Sequence, residues 1–123
     1  MESILISIKK MLGIIDEYKF FDSDLIIHIN SAFMILNQLG IGPSEGFTIS
    51  DEYATWNNFI PEDDKNFELV KSYVQLKVKL LFDPPMSSVV MECTNKMINE
   101  FEWRLNVASE LQQSSGEEEN QNG

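Results

Sequence analysis

A chain of 123 residues, 43% of them hydrophobic, is the size of one domain and can bury its own core, which excludes wholesale disorder. A net charge of −11 argues against gripping nucleic-acid phosphates, and a single cysteine excludes an internal disulfide, as fits a reducing compartment. No apolar run reaches the ~20 residues of a membrane span, and Met1-Glu2-Ser3-Ile4-Leu5-Ile6 lacks the basic start of a secretory signal.

Ser3 is placed to cap a first helix running from Ile4 to about Ile15, with Ile4, Leu5, Ile8, Met11, Leu12 and Ile15 on one face and Lys9 and Lys10 off it in solvent. Tyr18, Phe20 and Phe21 follow in a connection and are available to cover one end of a bundle. Asp22 or Ser23 caps a second helix that continues to Leu39. Its main face holds Leu25, Ile26, Ile29, Ala32, Phe33, Leu36 and Leu39, whereas Ile27, Met34 and Ile35 are apolar but point elsewhere. Gly40 before Ile41 is the signature of a left-handed helix end with an apolar contact behind it.

A long irregular stretch follows, in which Phe47-Thr48-Ile49 has the composition of a short strand without an evident pairing partner. Thr55 heads a single helical turn whose Trp56 and Phe59, with Ile60 after them, plug one end of the bundle. The central helix spans Phe67 to Phe82, with Phe67, Val70, Val74, Val78 and Leu81 in one stripe and Leu69, Tyr73, Leu76 and Leu80 in a second beside it. So broad an apolar surface belongs between neighbours. Asp83-Pro84-Pro85 stops it, because neither proline can extend the hydrogen-bond ladder. Ser87 or Ser88 then caps a last helix, Asp83 with Pro84 in the first turn being the other possible start, with Val90, Cys93, Met97, Ile98, Phe101 and Leu105 on one face, so that the last two long helices form an antiparallel hairpin. The fold class is therefore all-α: a bundle of about four main helices over residues 1–111, and a disordered acidic tail over 112–123.

Catalytic and metal chemistry find little material here. His28 lies on an apolar helix without an orienting partner, Cys93 reads as a buried structural thiol, and one His plus one Cys cannot make a structural zinc site. No glycine-rich phosphate loop is present. The chain reads as no enzyme, with no cofactor. Three residues break the helical pattern. Lys77 falls within the apolar arc of the central helix, either snorkelling, paired with Glu92, or touching a neighbouring subunit. Arg104 would reach Asp64 or Glu68 across the hairpin in a structural salt bridge. Trp103 points into a polar face, either covered by the tail or serving as an interface anchor. With Ile27, Met34 and Ile35, Lys77 and Trp103 make up the candidate contacts with subunits or partners.

Several segments together resemble the head–tail connector (head-completion adaptor) proteins of tailed phages and prophages. They are Lys10-Met11-Leu12-Gly13-Ile14, Ile29-Asn30-Ser31-Ala32-Phe33, Thr55-Trp56-Asn57-Asn58-Phe59, Tyr73 through Pro85 and Glu102-Trp103-Arg104-Leu105-Asn106. The resemblance implies a structural virion protein of the neck, assembled in the host cytoplasm. Its implied partners are a portal protein, further copies of itself in a ring expected to be dodecameric, and a stopper or tail-completion protein. DNA would pass through the ring without sequence-specific binding, past an acidic wall that does not trap it, and no membrane is involved. A small acidic regulatory protein, such as a DNA mimic or partner-binding inhibitor, is the competing reading of the same charge.

Overall fold

The computed structural model describes residues 2–122, with side chains as far as Gln112. Among these described residues five helices follow one another: α1 (Ile4–Leu12), α2 (Asp22–Gln38), α3 (Trp56–Phe59), α4 (Phe67–Phe82) and α5 (Ser88–Asn122). The disordered tail expected over 112–123 lies, but for Gln112, outside the residues described with their side chains.

As its two apolar stripes require, α4 packs against α1, α2 and α5. Val70, Tyr73, Val74 and Val78 are wholly buried, and each such side chain contributes about 1.5–3 kcal/mol relative to exposure. Their partners from α2 are Leu25, Ile29, Ala32, Phe33 and Leu36, and from α1 Ile4, Leu5 and Ile8. Leu105 and Ile98 of α5 join the same core, together with Ile41, Ile49, Trp56, Phe59 and Ile60 from the stretch between α2 and α4.

Two helices end in the same way for the same reason. At the end of α1, Gly13 adopts φ +79° and its N–H bonds the Lys10 carbonyl, while the Ile14 N–H reaches the Lys9 carbonyl. At the end of α2, Gly40 adopts φ +85° with the matching bonds to Asn37 and Leu36, and Ile41 behind it is buried. Both are Schellman closures, which satisfy the last carbonyls through a left-handed residue. Gly13 thus ends α1 three residues before the expected Ile15, and Ile15 is exposed instead of joining the buried face.

A second departure is Lys9. It sits on the flank of α1 expected in solvent, yet it is 1% exposed. Its Nζ donates to the Asp16 carbonyl at 2.9 Å and the Tyr18 carbonyl at 2.7 Å, and Asp22 Oδ1 lies 2.8 Å away as counter-charge. The ammonium is therefore held by two carbonyls of the α1–α2 connection, which folds back over the lysine, and by the charge of Asp22 at the start of α2. This leaves Asp22 inside the first turn of α2, with Phe21 in the cap position and making no side-chain cap bond, so neither Asp22 nor Ser23 is the cap.

The irregular segment 41–64 is fastened by side chains. Phe47-Thr48-Ile49 is not a strand: Asn30 donates to the Ile49 carbonyl at 3.0 Å and accepts the Ile49 N–H at 2.8 Å, standing in for a pairing strand. Two turns further along α2, Asn37 donates to the Pro43 carbonyl at 3.1 Å. Ser3 forms an isolated antiparallel bridge with Thr55 and caps α1 by accepting the Ile6 N–H. The Trp56 indole N–H donates to Ser7 Oγ at 3.0 Å within the core. Phe47 and Phe59 flank the Phe33 ring, with centroids 5.0 and 4.5 Å from it, and so close one end of the bundle. Phe21 and Phe82, 5.1 Å apart, meet at the join between the α1–α2 connection and the end of α4.

Candidate functional site

The hairpin of α4 and α5 has its register set by one buried contact. Tyr73, wholly buried, donates its hydroxyl to Glu102 Oε2 at 2.9 Å. Burial, and then the hydrogen bond and charge of Glu102, hold the phenol well above its ordinary pKa of 10.0. The neutral phenol is thus favoured by folding. Its contribution to stability is full below pH 10 and declines as pH rises beyond it. Tyr73→Phe is expected to cost about 1–2 kcal/mol at pH 8, since Glu102 loses a donor. The same variant should also lose stability less steeply than wild type between about pH 9 and 11, as denaturant titrations at each pH would measure.

This register corrects two expectations. With Tyr73 beside Glu102, Lys77 lies opposite the Ile98 region, one turn of each helix further on, and not opposite Glu92. The five residues from Asp83 to Ser87 between the two helices shift the pairing, an offset that proline positions alone do not give. Glu92 pairs instead with Lys96 on its own helix at 3.5 Å. Lys77 is half-buried and forms no ion pair among the described residues. Arg104 pairs with Glu100 at 2.7 Å, also within α5, and not with Asp64 or Glu68. Asp64 Oδ1 accepts the Asn66 N–H at the entry to α4.

α5 has α4 as its main neighbour and buries only a narrow seam. Met91, Thr94 and Phe101 are half-buried in it, and Ile98, Leu105 and Ser109 are buried. Val90 and Met97, expected inside, are exposed, and so is the Cys93 thiol, which is not a structural core group. The seam repeats every seven residues from Met91 through Ile98 to Leu105, and Cys93 falls off it. Met86, Val89 and Val90 stand in solvent at the turn of the hairpin, where Leu80, Pro85, Met86 and Val90 border a groove of about 340 Å³. Ile15, Tyr18 and Phe20, in the connection that meets α4 at Phe21 and Phe82, are exposed as well. The sequence places Ile15 and Val90 on buried faces and Tyr18 and Phe20 over the bundle end, whereas all four are exposed; for Ile15 the available signal is Gly13, which ends α1 before it.

The outward face of α2 carries a second groove, of about 430 Å³, between the helix and residues 46–48. Ile27, Ser31 and Met34 line it at helical spacing together with Phe47, and Ile27 and Met34 are exposed as expected. Ile35 instead packs against the core. Trp103 is 66% exposed on the outward face of α5, with no cover among the described residues.

Among the described residues no three His, Cys, Asp or Glu side chains converge as a metal site. None of the described helices is long and apolar enough to cross a membrane. What the surface offers is apolar faces on a rigid helical frame. The family model described as phage connector protein matches residues 4–112. The chain belongs to the phage connector protein family. No curated protein and no solved structure is significantly similar to it. The matched span runs from the first residue of α1 through the seam of α5, so the core and both outward faces of this connector protein lie within it. As a connector protein it is a structural component of a phage particle and not an enzyme.

Proposed function

We propose that this connector protein is a head-completion adaptor. It assembles as a ring beneath the portal of a DNA-filled head, extends the exit channel, and presents a docking surface to a stopper or tail-completion protein. The observation that carries the reading is the family match over residues 4–112, joined to a bundle that leaves Ile27, Met34, Trp103 and Met86 uncovered in one copy. Apolar groups left exposed on a well-packed frame suit burial on assembly. The charge of −11 suits a conduit that the duplex traverses without adhering. Assembly places the protein in the neck of the virion.

The test mixes the full chain with portal particles and images the product. A ring of density on the exit side of the portal is expected at saturating protein. Bare portals at high protein concentration would overturn the reading.

A further inference from the structure

The groove on α2 and the tryptophan on α5 match in size, chemistry and charge register. The α2 groove has an apolar floor of Ile27, Met34 and Phe47, with Ser31 at its centre. Ser31 Oγ donates its own proton to the Ile27 carbonyl at 3.0 Å, which leaves its oxygen able to accept a further hydrogen bond. An indole needs such a site: a large apolar face in a pocket and one acceptor for its N–H. Trp103, mostly exposed on a polar helix face, is such a group.

The charges choose one relative direction. On α5, Lys96 precedes Trp103 by seven residues and lies on the same face; on α2, Asp24 precedes Ser31 by the same interval. Two helical turns separate the members of each pair, about 10 Å along the axis. With Trp103 over Ser31 and the helices parallel, Lys96 stands over Asp24, both exposed. With the helices antiparallel, Glu110, seven residues after Trp103, would meet Asp24 as a like charge. The present partner of Lys96, Glu92 at 3.5 Å, is an exposed pair of little strength and readily exchanged.

We infer that the outward face of α5 on one copy seats on the outward face of α2 on a second copy, with Trp103 in the Ile27–Met34 groove and Lys96 against Asp24. The inference rests on the ring-subunit reading and assigns its subunit contact. α2 and α5 both pack on α4 through their opposite faces, so every copy carries one free knob and one free groove. Such a contact is heterologous: it propagates from copy to copy and ends only when a ring closes.

Cross-linking tests it. In the full chain with Cys93→Ser, Asp24→Cys and Lys96→Cys are introduced together. The protein is then oxidised at high concentration, free and after incubation with portal particles. A ladder of dimers, trimers and higher species is expected on a non-reducing gel, and adding Trp103→Ala should reduce it at least tenfold. With both cysteines absent, Asp24→Lys should weaken self-association about tenfold, and adding Lys96→Glu should restore it. Rings imaged on portals without a cross-linked ladder would overturn this interface while leaving the ring reading intact. Absence of both would overturn both. Dimers with no higher species would also overturn it, because they indicate a closed two-fold contact.

Discussion

Lys9→Ala is expected to destabilise the fold by about 3 kcal/mol, the lower end of what removing one partner of a buried pair costs. Three groups lose their partner at once: the Asp16 and Tyr18 carbonyls and the Asp22 carboxylate. An unsatisfied carbonyl or charge in the interior bears its desolvation cost without compensation. The lower end applies because the Asp22 side chain is 21% exposed and can recover some water. The loss should appear as a fall in the melting temperature of roughly 10 °C or more. Lys10→Ala, one residue on and exposed, should change stability by less than about 0.5 kcal/mol. Lys9→Met keeps most of the apolar stem and removes only the ammonium, so it should fall close to Lys9→Ala. A Lys9→Met protein as stable as wild type would show that the stem, and not the charge, fixes the connection. Raised salt should leave the difference nearly unchanged, since a buried pair is little screened.

Lys9 also marks the limit of what the sequence can tell. The helical period sorts α4 legibly: its two stripes, save for Leu81, which is exposed, its Phe82 end and its place between neighbours are found in the fold. Glycine chemistry is equally legible at Gly40, since a left-handed closure followed by an apolar residue has few alternatives. Lys9 is not, because a lysine at the edge of a helix's apolar arc can face either way. What draws it inward is a set of backbone carbonyls on a connection whose path no local pattern encodes. The same holds for Asn30, whose amide replaces a strand at Ile49. A hydrogen bond between a side chain and the backbone of a distant loop leaves no periodic trace.

The candidate contacts divide along a similar line. Ile27, Met34 and Trp103 fall outside a helical face, a property of the element alone, and all three are exposed. Partners for Arg104 and Lys77 across the hairpin depend on the register of two helices. Register follows from the length of the turn and from Tyr73 meeting Glu102. Any error in the turn moves every cross-helix pair together, which is why neither expected pair forms.

Gly42→Ala is expected to be as damaging as the loss of Lys9, by a different physical route. Gly42 has φ +86°, a conformation that costs an L side chain roughly 1–2 kcal/mol. It also sits against an aromatic ring: a Cβ built there would lie 2.3 Å from one carbon of the Phe59 ring and 2.5 Å from the next. The ring cannot swing away cheaply, because it packs tilted against Phe33 at 4.5 Å and edge-on against Phe47 at 5.3 Å and is almost wholly buried. Moving it disturbs the cluster that closes this end of the core, a form of overpacking that adds about 1–3 kcal/mol. The total should be about 2–5 kcal/mol, accompanied by a change in near-ultraviolet circular dichroism as the aromatic cluster shifts. Gly13→Ala supplies the comparison. It has nearly the same dihedral, φ +79°, but nothing within 4 Å of the added carbon, so it should cost only the backbone share. The difference between the two variants, measured by denaturant unfolding, isolates the packing of Phe59 on Gly42. Equal losses in the two would mean that the ring does not press on the backbone at Gly42 as described. A gap of about 2 kcal/mol would locate the constraint in the ring rather than in the turn.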